Sequence, residues 1–203
     1  LYIASEYGHV EVVMALMESG ADIDKAEEEI GWTPLQMVSD NGYLDVVRAL
    51  MEGGANIDKC HEDGWAPLQL ASGCGFVEVV RALVEGGADI DKANKDGETP
   101  LYTASWFGHV DLVRALMEGG ADIDKAKEDG RTPLYAASRN GHVEVVRALM
   151  EGGADIDKAD KNGCTPLYAA SWEGDEEFVG LGSASERDFV EVVRALVESG
   201  ADI

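Results

Sequence analysis

Short runs of apolar residues at helical spacing recur along the whole chain. In VEVVRALME, residues 143–151, the apolar positions 143, 146, 149 and 150 alternate with charged positions 144, 147 and 151. Because this spacing places the apolar side chains on one face, it predicts a short amphipathic helix. The pair Gly152-Gly153 follows and allows a left-handed cap, so we expect the helix to end there.

A second short helix is predicted just before this one. Thr132 can accept hydrogen bonds from the first backbone donors of a helix, and Pro133 suits the first helical position. The helix is expected to stop at Asn140-Gly141. The segment ADIDKADKNG that follows the longer helix is rich in turn formers, which predicts a hairpin that leads into the next unit.

This helix–turn–helix pattern repeats with a fixed period of 33 residues. Its marker leucines are Leu35, Leu68, Leu101, Leu134 and Leu167. The register divides the chain into a partial unit, 1–30, and the units 31–63, 64–96, 97–129, 130–162 and 163–203. Neither short helix can bury its apolar side alone, so neighbouring units are expected to stack into one continuous core. We therefore predict a single all-α repeat domain over residues 1–203.

The last unit departs from the period by an excess of residues. Aligning its FVEVV with the HVEVV of the previous unit places the extra segment, 175–188, between the two helices as a surface insertion. A longer loop there is compatible with stacking, because loop closure entropy grows only slowly with length. The alternative is that GDEEFV and SASERDFVEVV are remnants of two fused repeats, in which Phe178, Val179 and Leu181 pack as helix.

The unit at 130–162 closely resembles the ankyrin repeat. Its first 26 residues match the pattern G-x-T-P-L-x-x-A-A-x-x-G-H-x-E-V-V-x-x-L-x-x-x-G-A-D almost letter for letter, and the other units match it recognisably. The resemblance implies a solenoid of helix–turn–helix repeats whose hairpins lie along one edge. Two departures are regular: the family's histidine after T-P-L is Tyr or Gln, and its second alanine is Ser. The hydrogen bonds that this histidine makes between hairpins must then come from phenol or amide groups.

Composition narrows the class of protein further. No run approaches the roughly 20 apolar residues of a membrane span, and the N-terminal residues lack the features of a signal peptide. The chain begins inside a repeat, which predicts a segment of something longer. Cys60, Cys74 and Cys164 lack a metal-binding spacing and suit free thiols in a reducing, intracellular compartment.

The net charge of −24 also restricts the partners. An acidic surface repels phosphate backbones, so we expect no nucleic-acid partner. The fifth unit has no net charge, whereas the first and last units are the most acidic. These acidic ends favour a partner protein with a basic patch. An acidity that serves only solubility is the alternative interpretation.

The sequence contains no recognisable catalytic or metal site. His9, His109 and His142 occupy one repeated position, which favours a structural role near the second helix. The acidic hairpin tips lack the dense ligand spacing of a calcium loop. No nucleophile, base and orienting carboxylate can be assembled from the recurring residues. We predict that the protein is not an enzyme and needs no cofactor.

Variable aromatic and arginine residues are the candidates for binding a partner. The resemblance implies that their positions line the concave face of the repeats, and Trp, Tyr and Arg often anchor interfaces. Packing of single aromatics on a neighbouring repeat is the alternative. The predicted partner-binding residues are Tyr102, Trp106, Phe107, Arg131, Tyr135, Arg139, Tyr168 and Trp172, with Trp32 and Trp65 as secondary candidates.

These features together predict a non-catalytic scaffold for protein–protein interaction. Two alternatives are compatible with the same repeats: the targeting arm of a larger enzyme or channel, and a fixed structural subunit of a large assembly. The fold does not choose among them, because repeats of this kind serve all three roles.

Overall fold

A computed structural model describes residues 1–171 and 184–202. Its contacts divide the chain into residues 1–95 and residues 96–203. The predicted extra segment, 175–188, falls mostly outside the described residues, as does Trp172. The two halves are described in turn.

Each half consists of short helices arranged in pairs. Residues 1–95 form α1 (Tyr2–Glu6), α2 (Val10–Glu18), α3 (Pro34–Asn41), α4 (Leu44–Glu52), α5 (Pro67–Cys74) and α6 (Val77–Glu85). The described part of residues 96–203 forms α7 (Pro100–Phe107), α8 (Val110–Glu118), α9 (Pro133–Arg139), α10 (Val143–Glu151), α11 (Pro166–Ser171) and α12 (Glu186–Glu198).

The local signals seen in the sequence mark the ends of these helices. The hydroxyl oxygens of Thr33, Thr99 and Thr132 accept from the backbone N–H three residues later, and a proline occupies the first turn each time. Several first helices end at a glycine in the left-handed region, for example Gly108 with φ of 78°. Such a φ is costly for any residue with a Cβ, so the glycine ends the helix there.

Within each half the helices stack as two layers. The first helices of successive units pack together, α1 on α3 and α3 on α5, and so do the second helices, α2 on α4 and α4 on α6. Residues 96–203 repeat the arrangement with α7, α9 and α11 in one layer and α8, α10 and α12 in the other. The marker leucines Leu35, Leu68, Leu101 and Leu134 are almost completely buried between the layers. The predicted all-α repeat fold is confirmed for the described residues.

Hairpin turns join the units and bond to one another. Each turn closes on itself, as when the Lys127 N–H donates to the Arg131 carbonyl at 2.9 Å. Turns of neighbouring units are linked by aspartates. The Asp24 carboxylate accepts from the Asn56 N–H at 3.1 Å, and the Asp124 carboxylate accepts from the Asp155 N–H at 3.1 Å.

Hydrogen bonds accommodate the two departures from the family pattern in some units and not in others. The buried Gln36 amide donates from Nε2 to the Trp65 carbonyl at 2.8 Å, so an amide does link neighbouring hairpins as expected. Its Oε1 accepts from the Thr33 N–H, which completes a capping box. Serine in place of the second alanine bonds inside its own helix in four units, as when the Ser39 hydroxyl donates to the Leu35 carbonyl at 2.7 Å, whereas the buried Ser5 and Ser138 hydroxyls make no hydrogen bond.

The second helix of the last unit is longer than its counterparts. α12 has 13 residues whereas α10 has 9, and it begins with a capping box between Ser185 and Asp188. Its first residues, 186–188, belong to the segment expected as an insertion, so this end of the segment is helical. Residues 175–179, which would distinguish the insertion from fused repeats, lie outside the described residues.

Candidate protein-binding surface

The predicted contact residues lie on the first helices and hairpins of residues 96–203. The seven that the structure describes are here named the aromatic–basic cluster: Tyr102, Trp106, Phe107, Arg131, Tyr135, Arg139 and Tyr168. Tyr102, Tyr135 and Tyr168 occupy equivalent positions in successive units, and so do Trp106 and Arg139. Their helices, α7, α9 and α11, share one layer. Two of them differ from the expected surface position: Tyr102 and Tyr135 are 2% and 1% exposed.

Tyr102 is buried because a lysine of the next hairpin covers it. Lys127 Nζ lies 5.2 Å from the centre of the Tyr102 ring and 2.8 Å from Glu98 Oε1. The ring also stacks on Trp106, with 6.4 Å between centroids. Burial raises the pKa of the Tyr102 phenol, and the carboxylates of Glu98 and Asp129 raise it further. The phenol therefore stays neutral, and its ring packs against the Trp106 ring and the Lys127 ammonium group.

Tyr135 has an arginine over it instead. Arg131 Cζ lies 5.3 Å from the centre of the Tyr135 ring. The guanidinium group is held from both sides, since Nη1 is 3.5 Å from Asp129 Oδ2 and Nε is 3.7 Å from Asp160 Oδ2. The Arg131 side chain keeps 32% of its surface exposed. A planar group fixed in this way is preorganised to meet an incoming acceptor.

Asp160 connects this arginine to the next hairpin. Its Oδ1 accepts from the backbone N–H groups of Asn162 at 2.8 Å and Cys164 at 2.9 Å. Burial alone would raise the pKa of Asp160, but the hydrogen bonds from Cys164 and Asn162 and the charge of Arg131 lower it below its ordinary value. Asp160 is therefore ionised at neutral pH and keeps Arg131 in place.

The turn after Trp106 is held by a histidine from the following unit. His142 Nε2 lies 2.9 Å from the Trp106 carbonyl oxygen, and the ring covers Gly108 so closely that a Cβ there would be 2.7 Å from Nδ1. Burial lowers the pKa of His142, which keeps the ring neutral with Nε2–H as the donor. Phe107, in the same turn, is 44% exposed and stacks with His109.

The remaining cluster members lie further along the stack. Arg139 ends α9 at the position equivalent to Trp106, and its side chain is half-buried. Tyr168 on α11 is exposed, unlike the equivalent Tyr102 and Tyr135. The secondary candidates Trp32 and Trp65 are half-buried hairpin residues of the other half of the chain, and the Trp65 carbonyl accepts from Gln36.

Sequence reasoning missed the residues that hold the cluster in place. Lys127 and Asp160 occupy the same hairpin position in consecutive units, where earlier units have Glu27, His61 and Asn94. This position varies in charge from unit to unit, so it could have been singled out. The contacts of Lys127 and Asp160 with the tyrosines and Arg131 require the stacked geometry.

No set of His, Cys, Asp and Glu side chains within residues 1–171 and 184–202 could hold a metal ion. Cys60, Cys74 and Cys164 are free thiols. None of the helices in the described ranges is long and apolar enough to span a bilayer.

Comparison with known families agrees with this architecture. A family model described as ankyrin repeats in three copies matches residues 1–59, 38–127 and 120–203. These matches cover the chain, so the protein belongs to the ankyrin repeat family. Ankyrin repeats are generally protein–protein interaction modules. No curated protein matches the chain.

Proposed function

We propose that this protein is a non-catalytic scaffold that binds another protein through the aromatic–basic cluster. The observation that carries the proposal is the anchored turn at Trp106 and Phe107. A partly exposed indole and an exposed phenyl ring are presented on a backbone that His142 holds in position. Aromatic groups that are rigid before binding lose little entropy on association, which is typical of binding hot spots.

Charge adds specificity to this surface. Arg131 is oriented by Asp129 and Asp160 and belongs to the unit that follows the one with Trp106. The two buried tyrosines form the floor of the cluster, and the exposed side chains make the contact. The cluster is surrounded by a chain of net charge −24, so a partner with basic groups outside its contact core would associate faster at low ionic strength.

The free cysteines support an intracellular setting for this scaffold, because oxidising compartments favour disulfides. The negative charge supports a protein partner over a nucleic acid. The family's concave face, formed by first helices and hairpins, is the surface on which we place the contact.

The experiment that tests the proposal is a comparative affinity capture with quantitative mass spectrometry. The wild-type chain, a Trp106→Ala/Arg139→Ala double variant and a Trp32→Ala control variant are used as baits. A partner bound through the cluster is captured by the wild type and the control and depleted with the double variant. Cross-links from the captured partner to α8 and α10, with the cluster still exposed, would contradict the assignment.

A further inference from the structure

A row of aromatic rings follows the turns between paired helices in residues 1–95. Tyr43 lies over Gly8, where a Cβ would be 3.2 Å from its Cγ. Phe76 lies in the same way over Gly42, where a Cβ would be 2.6 Å from its Cε1. Each ring therefore sits directly on the glycine turn of the preceding unit, and the absence of a Cβ at that turn makes the close approach feasible.

The row is accessible at several points. Tyr7 is 64% exposed and stacks with the exposed His9 across Gly8, with ring centroids 6.2 Å apart. Tyr43 is 38% exposed and Phe76 is half-buried. These rings lie on the turns that join the two helices of a unit, at the opposite end of the first helices from the hairpins. The row is thus distinct from the aromatic–basic cluster, which belongs to residues 96–203.

Carboxylates outnumber basic groups around the rings, although Arg48 and Arg81 are exposed three residues after Asp45 and Glu78 on α4 and α6. Glu11, Asp45 and Glu78 are exposed at the second residue of α2, α4 and α6, and Glu6 and Asp40 lie near the ends of α1 and α3. The turn segments 4–12, 38–47 and 71–80 contain no lysine or arginine. We name this surface the acidic turn ridge; it comprises Glu6, Tyr7, His9, Glu11, Asp40, Tyr43, Asp45, Phe76 and Glu78.

Two neighbouring groups respond to the negative charge of the ridge. Burial raises the pKa of the Cys74 thiol to about 11, and Asp40, whose Oδ1 is 3.5 Å from Sγ, raises it in the same direction. Burial also raises the pKa of the Tyr2 phenol, together with the carboxylates of Glu27, Glu6 and Asp40. Burial is the larger cause for both groups, and Asp40 adds to the rise of both pKa values.

We propose that the acidic turn ridge binds a lysine- and arginine-rich segment of a partner protein. The faces of tyrosine and phenylalanine rings attract cations that lie within about 6 Å, and the flanking carboxylates supply the opposite charge. The alternation of exposed or half-buried rings with carboxylates along three successive turns matches an extended basic segment better than a single small cation. The equivalent turn 104–113 also has rings, a carboxylate and no lysine or arginine, but Arg139 and Arg187 follow in the next two units, so three such turns in succession occur in the first half of the chain.

The proposal is tested by fluorescence anisotropy with a labelled peptide rich in lysine and arginine. The same peptide with each lysine and arginine replaced by glutamine serves as the uncharged probe. In the complete chain, the ridge triple variant Glu11→Gln/Asp45→Asn/Glu78→Gln is expected to weaken binding of the basic peptide roughly tenfold, since each carboxylate contributes a modest pairing energy. The uncharged peptide should bind neither protein measurably.

The control triple variant makes the same charge change at the equivalent repeat positions of the other half: Asp111→Asn/Glu144→Gln/Glu191→Gln. It is expected to weaken binding by no more than about twofold, the effect of screened long-range charge. Equal weakening by the two triple variants would overturn the proposal, because the peptide would then sense only net charge.

A third variant separates the rings from the carboxylates. Tyr7→Ala removes an exposed ring with no change in charge, and we expect it to weaken binding about three- to fivefold, whereas Tyr7→Phe keeps the wild-type affinity. Unchanged binding by Tyr7→Ala would refute the role of the ring row. Circular dichroism of each variant verifies the fold.

Discussion

The imidazole of His142 donates from Nε2 to the carbonyl of Trp106 across 2.9 Å, and it covers Gly108 in the same turn. This contact connects two consecutive repeats at the point where the cluster presents its indole. Tyr43 and Phe76 take the equivalent position over Gly8 and Gly42 in the other half of the chain. All three rings thus pack on the glycine of the preceding turn, and His142 also makes a hydrogen bond there.

His142 should make the stability of the protein depend on pH. Its folded-state pKa lies below the ordinary 6.5 because the ring is buried. The unfolded chain therefore binds the proton more readily, and the contribution of His142 is complete above pH 6.5 and is lost as pH falls through the lower folded pKa. We expect the wild type to lose more unfolding free energy than His142→Tyr between about pH 7 and pH 5.

The measurement is urea denaturation of both proteins at each pH. Taking the difference between them cancels the titration of groups that they share, apart from those that face the ring, His109 and Asp188. A pH dependence identical in the two proteins would contradict the role assigned to His142.

Two glycines with the same backbone conformation should differ in their tolerance of alanine. Gly54 has φ of 88° and open space where a Cβ would lie, whereas Gly64 has φ of 85° and a Cβ there would be 2.8 Å from the Lys95 backbone N. Gly54→Ala is expected to cost about 1 kcal/mol from the left-handed conformation alone. Gly64→Ala should cost about 2 kcal/mol more, because backbone must move. Thermal and urea denaturation of the two variants measure this difference. Equal losses of unfolding free energy would show that the hairpin backbone moves at little cost.

Asp160 should tolerate asparagine better than alanine. The amide introduced by Asp160→Asn would keep an oxygen that accepts from the Asn162 and Cys164 N–H groups and would lose only the charge facing Arg131. The equivalent residue in an earlier unit is the buried Asn94. We expect a cost of about 1 kcal/mol for Asp160→Asn and about 2 to 3 kcal/mol for Asp160→Ala. Denaturation measures both, and a loss for Asp160→Asn as large as that for Asp160→Ala would mean that the ion pair outweighs the hydrogen bonds.

Gln36 should be important for the junction between its unit and the next. Its amide is buried and contacts both the Thr33 N–H and the Trp65 carbonyl. Gln36→Leu leaves these backbone groups without the amide and should cost about 2 to 3 kcal/mol of unfolding free energy. Gln36→His restores the family's residue and should cost less. The two variants are compared by denaturation, and similar losses would argue that the hydrogen bond to Trp65 contributes little.

The aromatic–basic cluster makes a prediction about affinity. Once a partner is isolated, Trp106→Ala and Arg139→Ala should each weaken its binding by about 1 to 3 kcal/mol and leave the fold nearly unchanged. Trp32→Ala in the other half of the chain is the matched control and should cost less. Calorimetric titration measures the three affinities. A loss of affinity for Trp32→Ala as large as that for Trp106→Ala would contradict the assignment of the contact to the aromatic–basic cluster.

The repeat fold could be read from the amino-acid sequence because its determinants are local. Thr132 and Pro133 begin a helix through contacts within four residues, and Gly108 ends one through its own φ. The same signals recur every 33 residues, so the helices could be predicted without information about distant contacts.

The burial of the candidate contact residues was decided only by tertiary structure. Tyr102, Tyr135 and Tyr168 have the same position in their units, yet the first two are buried and the third is exposed. Lys127 and Arg131 lie over the first two rings, and α9 and α11 pack next to the helices that carry them, whereas no first helix follows α11 among the described residues. A side chain's exposure depends on what the neighbouring hairpin places over it. The local pattern thus determined where each helix lies, and the stacking of units determined which residues reach the surface.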